Sequence, residues 1–280
     1  MSRTASHLGW LGRRLALLVA FLVAAYPMFW MVVTSLRLEQ DARRHPFSLL
    51  FSPTFDNLRA VFSSGLFGRA YLNSAIVAAV GVVLAVAFAA CAAFAFAHCR
   101  FPGRQALFVL FLLGMMIPIH VTLVPLNQLL GPSGLRLKGT LWALIGPYVG
   151  FALPISILIL RGAFETVPKQ LLEAARIDGC SAWGVFRHVA LPLVRPALAT
   201  VVIFNALTMW NEFAFALTLL GPDCPTLPLA ITQFQSQGEN ANDLALTCAA
   251  LAVSVLPLLL VYFAAQKHII RGLTAGAVKQ

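Results

Sequence analysis

Six apolar runs alternate with polar segments along the chain, at residues 15–36, 70–99, 105–135, 139–160, 196–222 and 244–266. A helix needs about 20 residues to cross the hydrocarbon core of a bilayer. Every run meets that length, the longer ones with tilt or a trailing loop. The run 196–222 is interrupted only by Glu212. The first run follows Arg13 and Arg14, as the apolar part of a secretory leader would. It is too long for one, and Tyr26, Pro27, Phe29 and Trp30 carry it past the small residues Ala24 and Ala25. It therefore predicts an uncleaved span. Pro27, Pro118, Pro125, Pro147, Pro154 and Pro257 fall inside the runs. Membrane helices tolerate proline where neighbours satisfy the freed carbonyls. Kinks around a central path and ordinary helix irregularity both account for them.

The polar segments differ in character. Residues 37–69 mix charges with Phe47, Leu49, Leu50, Phe51, Phe55, Leu58, Val61 and Phe62. Such a segment forms either a short helix lying on the outer surface or a packing element between spans, and the second is preferred. Residues 165–196 read ETVPKQLLEAARIDGCSAWGVFRHVALPLVRP. Here Lys169, Arg176 and Arg187, with Arg161 and Arg195 at the borders, are interspersed with Glu165, Glu173 and Asp178. Interspersed charge suits a folded element. The pattern predicts helix, glycine turn, helix. Pro168 fits a first helical turn, and Leu171, Leu172, Ala174, Ala175 and Ile177 form or pack a helix. Gly179 supplies the positive φ of a helix stop, and Ser181 can cap the next helix. Trp183, Phe186 and Val189 or Ala190 then share one side of it. Pro192 and Pro196 punctuate the return to the fifth run. A short amphipathic helix with aromatic residues, held outside the bilayer, is suited to another protein's groove.

Composition agrees with a polytopic membrane protein. The chain is 60% hydrophobic and 11% charged, against about 25% charged in soluble domains. The net charge of +10 does not point to nucleic acid, because the cations sit at the ends of apolar runs. With the N-terminus in the cytoplasm, 13 of the 20 Lys and Arg residues fall on cytoplasmic segments. Six spans then place both termini and the segment 162–195 inside. The predicted divisions are a cytoplasmic N-terminus (1–14), a membrane domain (15–266) with the outer segment 37–69 and the loop 162–195, and a cytoplasmic tail (267–280).

Motifs for chemistry are missing. There is no phosphate-cradling G-x4-G-K-[ST], no H-E-x-x-H and no G-x-S-x-G. The six histidines lack ligand spacing, and the five cysteines form no C-x-x-C pair. No cofactor is expected. Glu212 is the only acid within a predicted span, and intramembrane ionisable groups are functional candidates. It falls near the outer interface, about 25 Å of helix from Arg195. Asn211 and Glu212 are candidates for lining a solute path. Asn205, on the same span, suits a helix–helix hydrogen bond or a path contact. A membrane enzyme would need a nucleophile, metal set or acid–base pair at one depth. A self-sufficient ion-coupled carrier would need ionisable groups near the midplane.

Glu173-Ala174-Ala175, three residues, Gly179, nine residues, Val189, one residue and Leu191-Pro192 resemble the EAA loop, E-A-A-x3-G-x9-I-x-L-P, with Val189 in place of Ile. That loop is the mark of ABC importer permeases. Trp210-Asn211-Glu212 and the tail Arg271-Gly272-Leu273-Thr274, Gly276-Ala277-Val278-Lys279 resemble carbohydrate-importer permeases of the MalG type. The resemblance implies an all-α, six-span subunit of the bacterial inner membrane. It would import a sugar or oligosaccharide by alternating access, or else glycerol-3-phosphate or another small polar solute. It implies three partners: an ATP-hydrolysing subunit, a second permease chain giving a heterodimer, and an extracytoplasmic sugar-binding protein. Glu173, Ala174, Ala175, Asp178, Gly179, Trp183, Phe186 and Pro192 would then couple this chain to the ATPase.

Overall fold

A computed structural model describes residues 2–48, 51–236 and 243–277, with side chains omitted at 2–9, 11, 234–236, 261, 262 and 264–277. Leu49, Leu50 and the end of the tail motif, Val278 and Lys279, lie outside the described residues. The described residues are helices and turns, and they divide into two compact units, 1–67 with 231–257 and 68–230 with 258–280.

The first unit holds α1 (Ser2–Ser35), α2 (Glu39–Arg44), α3 (Asp56–Ser63) and the start of α14 (Leu244–Ala277). The segment after α1 folds back on that helix. Asn57 donates to the carbonyls of Ser35 and Arg37 at 3.0 and 2.7 Å. Trp30 Nε1 donates to the Pro46 carbonyl at 2.7 Å. Arg37 is buried, with its Nε on Asp41 at 3.0 Å. The Glu39 carboxylate accepts from the Ala245 N–H at 2.9 Å and is also bonded by Arg43. Among the described residues of 37–65, two short helices, α2 and α3, are thus tied by hydrogen bonds, and α4 begins at Leu66. Ala42 and Val61 are buried, while Phe47, Phe55 and Phe62 stay exposed.

The second unit holds nearly all of α4 (Leu66–His98) and then α5 (Arg104–Leu113), α6 (Ile119–Leu130), α7 (Trp142–Glu165), α8 (Lys169–Ile177), α9 (Ala182–Gly184), α10 (Leu191–Leu193), α11 (Arg195–Trp210) and α12 (Ala214–Leu219). It also holds the start of α13 (Leu227–Ser236). Small residues let its helices approach closely, as expected in lipid. A Cβ added at Gly81 of α4 would stand 2.8 Å from Met209 Sδ of α11. One core gathers Phe94, Phe96, Phe108, Phe164 and Phe186. A second gathers Val77, Leu144, Tyr148, Met209 and Phe215.

The described residues do not by themselves establish six spans. By length and composition, Gly12–Ser35, Leu66–His98 and Trp142–Glu165 can each cross a membrane. Counting two bent helix pairs as one span each makes five, and Leu244–Leu260 is a shorter apolar helix. The run 105–135 turns by 98° between Met116 and Ile119. Pro118 explains the break: it holds Ile117 extended, at ψ 114°, and ends the 3-10 turn Gly114–Met116. The run 196–222 ends its main helix at Trp210, for a reason centred on Glu212. Two helices run past the ends of their apolar runs. The helix of the fourth run continues through Arg161 to Glu165, so the loop proper starts at Thr166. α14 continues to Ala277, into the expected tail.

Candidate functional site

The loop between α7 and α11 is built as the pattern anticipates, with tighter turns. Pro168 precedes α8 as its extended N-cap and so stands one place outside the helix (φ −60°, ψ 127°). Asp178 closes the helix, Gly179 follows at φ +87°, and the chain forms a Schellman turn. Its two bonds run from Gly179 N–H to Arg176 O at 3.1 Å and from Cys180 N–H to Ala175 O at 3.0 Å. Two residues later the Ser181 hydroxyl accepts from the Gly184 N–H at 3.2 Å. From there Ala182 to Leu193 is one helical segment with a π-helical stretch, Val185–Ala190. Pro192 follows that stretch, and its missing N–H and its ring disturb the turn before it. The segment meets α11 at 80°.

Only two residues of α8, Leu172 and Ala175, are buried. They join Phe164, Val167, Val185 and Phe186 in the first core. Phe186 packs between Phe94 and Phe164, with centroid distances of 5.2 and 6.2 Å. Ala175 and Phe186 therefore anchor the loop from within. Glu173, Ala174, Asp178, Gly179 and Trp183 are exposed, and Pro192 is half-buried. Ile177 is 85% exposed, Trp183 59% and Leu171 47%. Of the residues read as forming or packing the helix, Leu172 and Ala175 pack inward, while Leu171 and Ile177 face outward. A rigid polar loop carrying these apolar groups presents a surface of the kind that partners cover.

The polar residues of the membrane helices form a separate group. Asn205 and Ser156 are both buried, and Asn205 Nδ2 donates to Ser156 Oγ at 2.9 Å. Tyr148 Oη donates to Glu212 Oε2 at 3.0 Å. These two bonds tie α7 to α11 and to the break after it. The Glu212 carboxylate also accepts the N–H groups of Phe215 and Ala216 at 2.7 and 3.2 Å, which starts α12. Asn211 is exposed and returns its amide to the Leu207 carbonyl of its own helix at 2.8 Å. The cavity beside Tyr148, Asn205 and Glu212 is about 90 Å³, room for a few waters. Tyr148 and Ser156 went unnoticed in the sequence. The signal was their spacing of two helical turns, matched by Asn205 and Glu212.

Comparison with known proteins decides the family. The family described as binding-protein-dependent transport system inner membrane component matches residues 81–275. The chain belongs to this family. It is a permease subunit of the inner membrane and not itself an enzyme. A protein of Caldicellulosiruptor sp. (strain Rt8B.4) described as an ABC transporter permease is 41% identical over 92% of this chain and 93% of its own length. The arabinooligosaccharides transport system permease protein AraQ of Halalkalibacterium halodurans is 33% identical over 99% of both chains. The fold is that of a solved bacterial ABC transporter for the acidic polysaccharide alginate. There the TM-score is 0.80 at 22% identity, covering 95% of this permease and 98% of that chain.

Proposed function

We propose that this permease imports a sugar or oligosaccharide by alternating access. A separate ATPase would dock on the cytoplasmic loop 162–195 and drive the motion. A second permease chain would complete the path, and a binding protein would deliver solute at the outer face. One observation carries the docking reading: α8 is clamped by a Schellman turn and two inward residues, yet it shows Leu171 and Ile177 to the outside, and α9 shows Trp183 beside them. A coupling element must be stiff and must offer a surface, and this loop has both properties. The oligosaccharide named for AraQ and the polysaccharide named for the solved transporter support a carbohydrate cargo. The lining of the small cavity at Tyr148 and Glu212 includes no Lys or Arg, which disfavours a phosphate-bearing solute.

The test is disulfide or photochemical cross-linking from Ala174→Cys in the assembled transporter. The expected product joins this chain to the ATPase. Uptake by the purified chain alone, or cross-links that never reach an ATPase, would overturn the reading.

A further inference from the structure

A cavity of about 710 Å³ opens where α4 ends and α8 begins. Its wall carries Arg100, Arg104, Lys169 and Arg176, with Glu173 as the one carboxylate in the lining. Lys169 and Arg176 stand seven residues apart on α8, with Leu172 and Glu173 between them on the same face. Arg100 and Arg104 flank the tight turn that follows α4, and Gly103 permits that turn at φ +76°. Arg104 donates to the Cys99 carbonyl at 3.3 Å. Among the described residues, Arg100, Lys169 and Arg176 have no carboxylate partner within ion-pair distance. Two separate elements therefore bring four cations to one hollow and leave most of that charge unanswered.

We propose that this hollow is an anion site that takes the phosphate headgroup of an acidic phospholipid. Three observations favour this occupant. The cavity lies at the last turn of α4, a 33-residue helix long and apolar enough to cross a membrane. Its volume far exceeds a bare phosphate and lies in the range of small-ligand sites. Its floor includes Ala97 and Leu172, apolar surface beside the charges. A preference for cations at the cytoplasmic border accounts for their presence there. It does not account for their convergence on one concave surface, which is the arrangement that holds acidic headgroups. The hollow shares α8 and Glu173 with the loop proposed to dock the ATPase, but Leu171, Ile177 and Trp183 are not part of its lining, and it would stand if the docking reading failed.

The test uses the transporter assembled with its partners in nanodiscs, either of phosphatidylcholine or of phosphatidylcholine and phosphatidylglycerol in equal parts. The readout is acetylation of Lys169 by an amine-reactive ester, followed by mass spectrometry. Phosphatidylglycerol is expected to slow acetylation several-fold, and this protection is expected to vanish in Arg100→Gln/Arg104→Gln. Should that double variant fail to insert, Arg176→Gln on exposed α8 is expected to lose the protection as well. Inorganic phosphate is added to the phosphatidylcholine discs as a second arm. Protection there, again lost in the variants, would keep the anion site and make soluble phosphate an occupant. Equal rates in both discs, or protection that survives the substitutions, would overturn the proposal. So would protection that ignores lipid and disappears when the ATPase is removed, because a partner's carboxylate would then fill the hollow.

Discussion

Gly179 sits at φ +87°, where a Cβ would meet no atom within 4 Å. The cost of a side chain there is backbone strain alone, about 1–2 kcal/mol for a β-branched residue. Gly179→Val is therefore expected to lower the melting temperature of the purified chain, and Gly179→Asn to lower it less, since Asn visits this region readily. Gly179→Asp is tolerated by the same local argument. Its expected loss of transport, with normal insertion, would report a surface that covers Gly179 in the assembly. Asp243 gives a second case. Its Oδ1 accepts from the Leu246 N–H at 2.8 Å, and it shares a hydrogen bond with Glu39. Burial and the neighbouring Glu39 push the Asp243 carboxyl above its usual value, against the pull of the Leu246 N–H. Burial also acts on Glu39, but bonds from Ala245, Asp243 and Arg43 outweigh it and hold that group low. Asp243 binds its proton more tightly when folded, so its contribution is present below the unfolded value and lost as pH rises through the folded one. Asp243→Asn keeps the acceptor for Leu246 and offers Glu39 a permanent donor. The expected gain in melting temperature is full near pH 7 and shrinks as the pH falls through the raised folded-state value of Asp243, where that group itself becomes protonated.

At the scale of elements, the break after α11 turns on one carboxylate. Glu212 accepts from Tyr148 and from two backbone N–H groups that begin α12. Glu212→Ala leaves those donors unpaired and is expected to cost about 2–3 kcal/mol in thermal unfolding. Glu212→Gln keeps an acceptor and should lose much less. If uptake follows stability across the two variants, Glu212 acts by holding α7, α11 and α12 together. If Gln abolishes uptake at near-normal stability, the charge itself faces solute. The apolar runs were legible because length and composition alone specify a membrane helix. The breaks were not, for a physical reason. Hydropathy averages over many residues, whereas Pro118 and Glu212 redirect the chain through single bonds made or missing. The loop was the reverse case. Gly179 and Ser181 specify their turns locally, so helix, turn and cap were readable. Which side of α8 faces inward depended on Phe94 and Phe164, distant in sequence, and so the outward position of Ile177 was not readable from the pattern.

For the whole molecule, sidedness and assembly meet at one native thiol. Cys180 is exposed and follows the Schellman turn, beside the surface formed by Ile177 and Trp183. Its backbone is fixed by the bond to Ala175, so its reactivity reports what covers it rather than local fraying. The balance of Lys and Arg predicts a cytoplasmic position for this loop. A membrane-impermeant maleimide should therefore modify Cys180 in inside-out vesicles and spare it in sealed right-side-out vesicles, with the site identified by mass spectrometry. Modification from the outer side would reverse the topology and remove the docking surface from reach of any cytoplasmic ATPase. In inside-out vesicles the rate should then fall when the ATPase is co-expressed, because covering Ile177 and Trp183 necessarily crowds the turn between them. Washing off the ATPase should restore the fast rate. A rate indifferent to the ATPase would mean that the exposed apolar groups of α8 serve some other contact, whichever side they face.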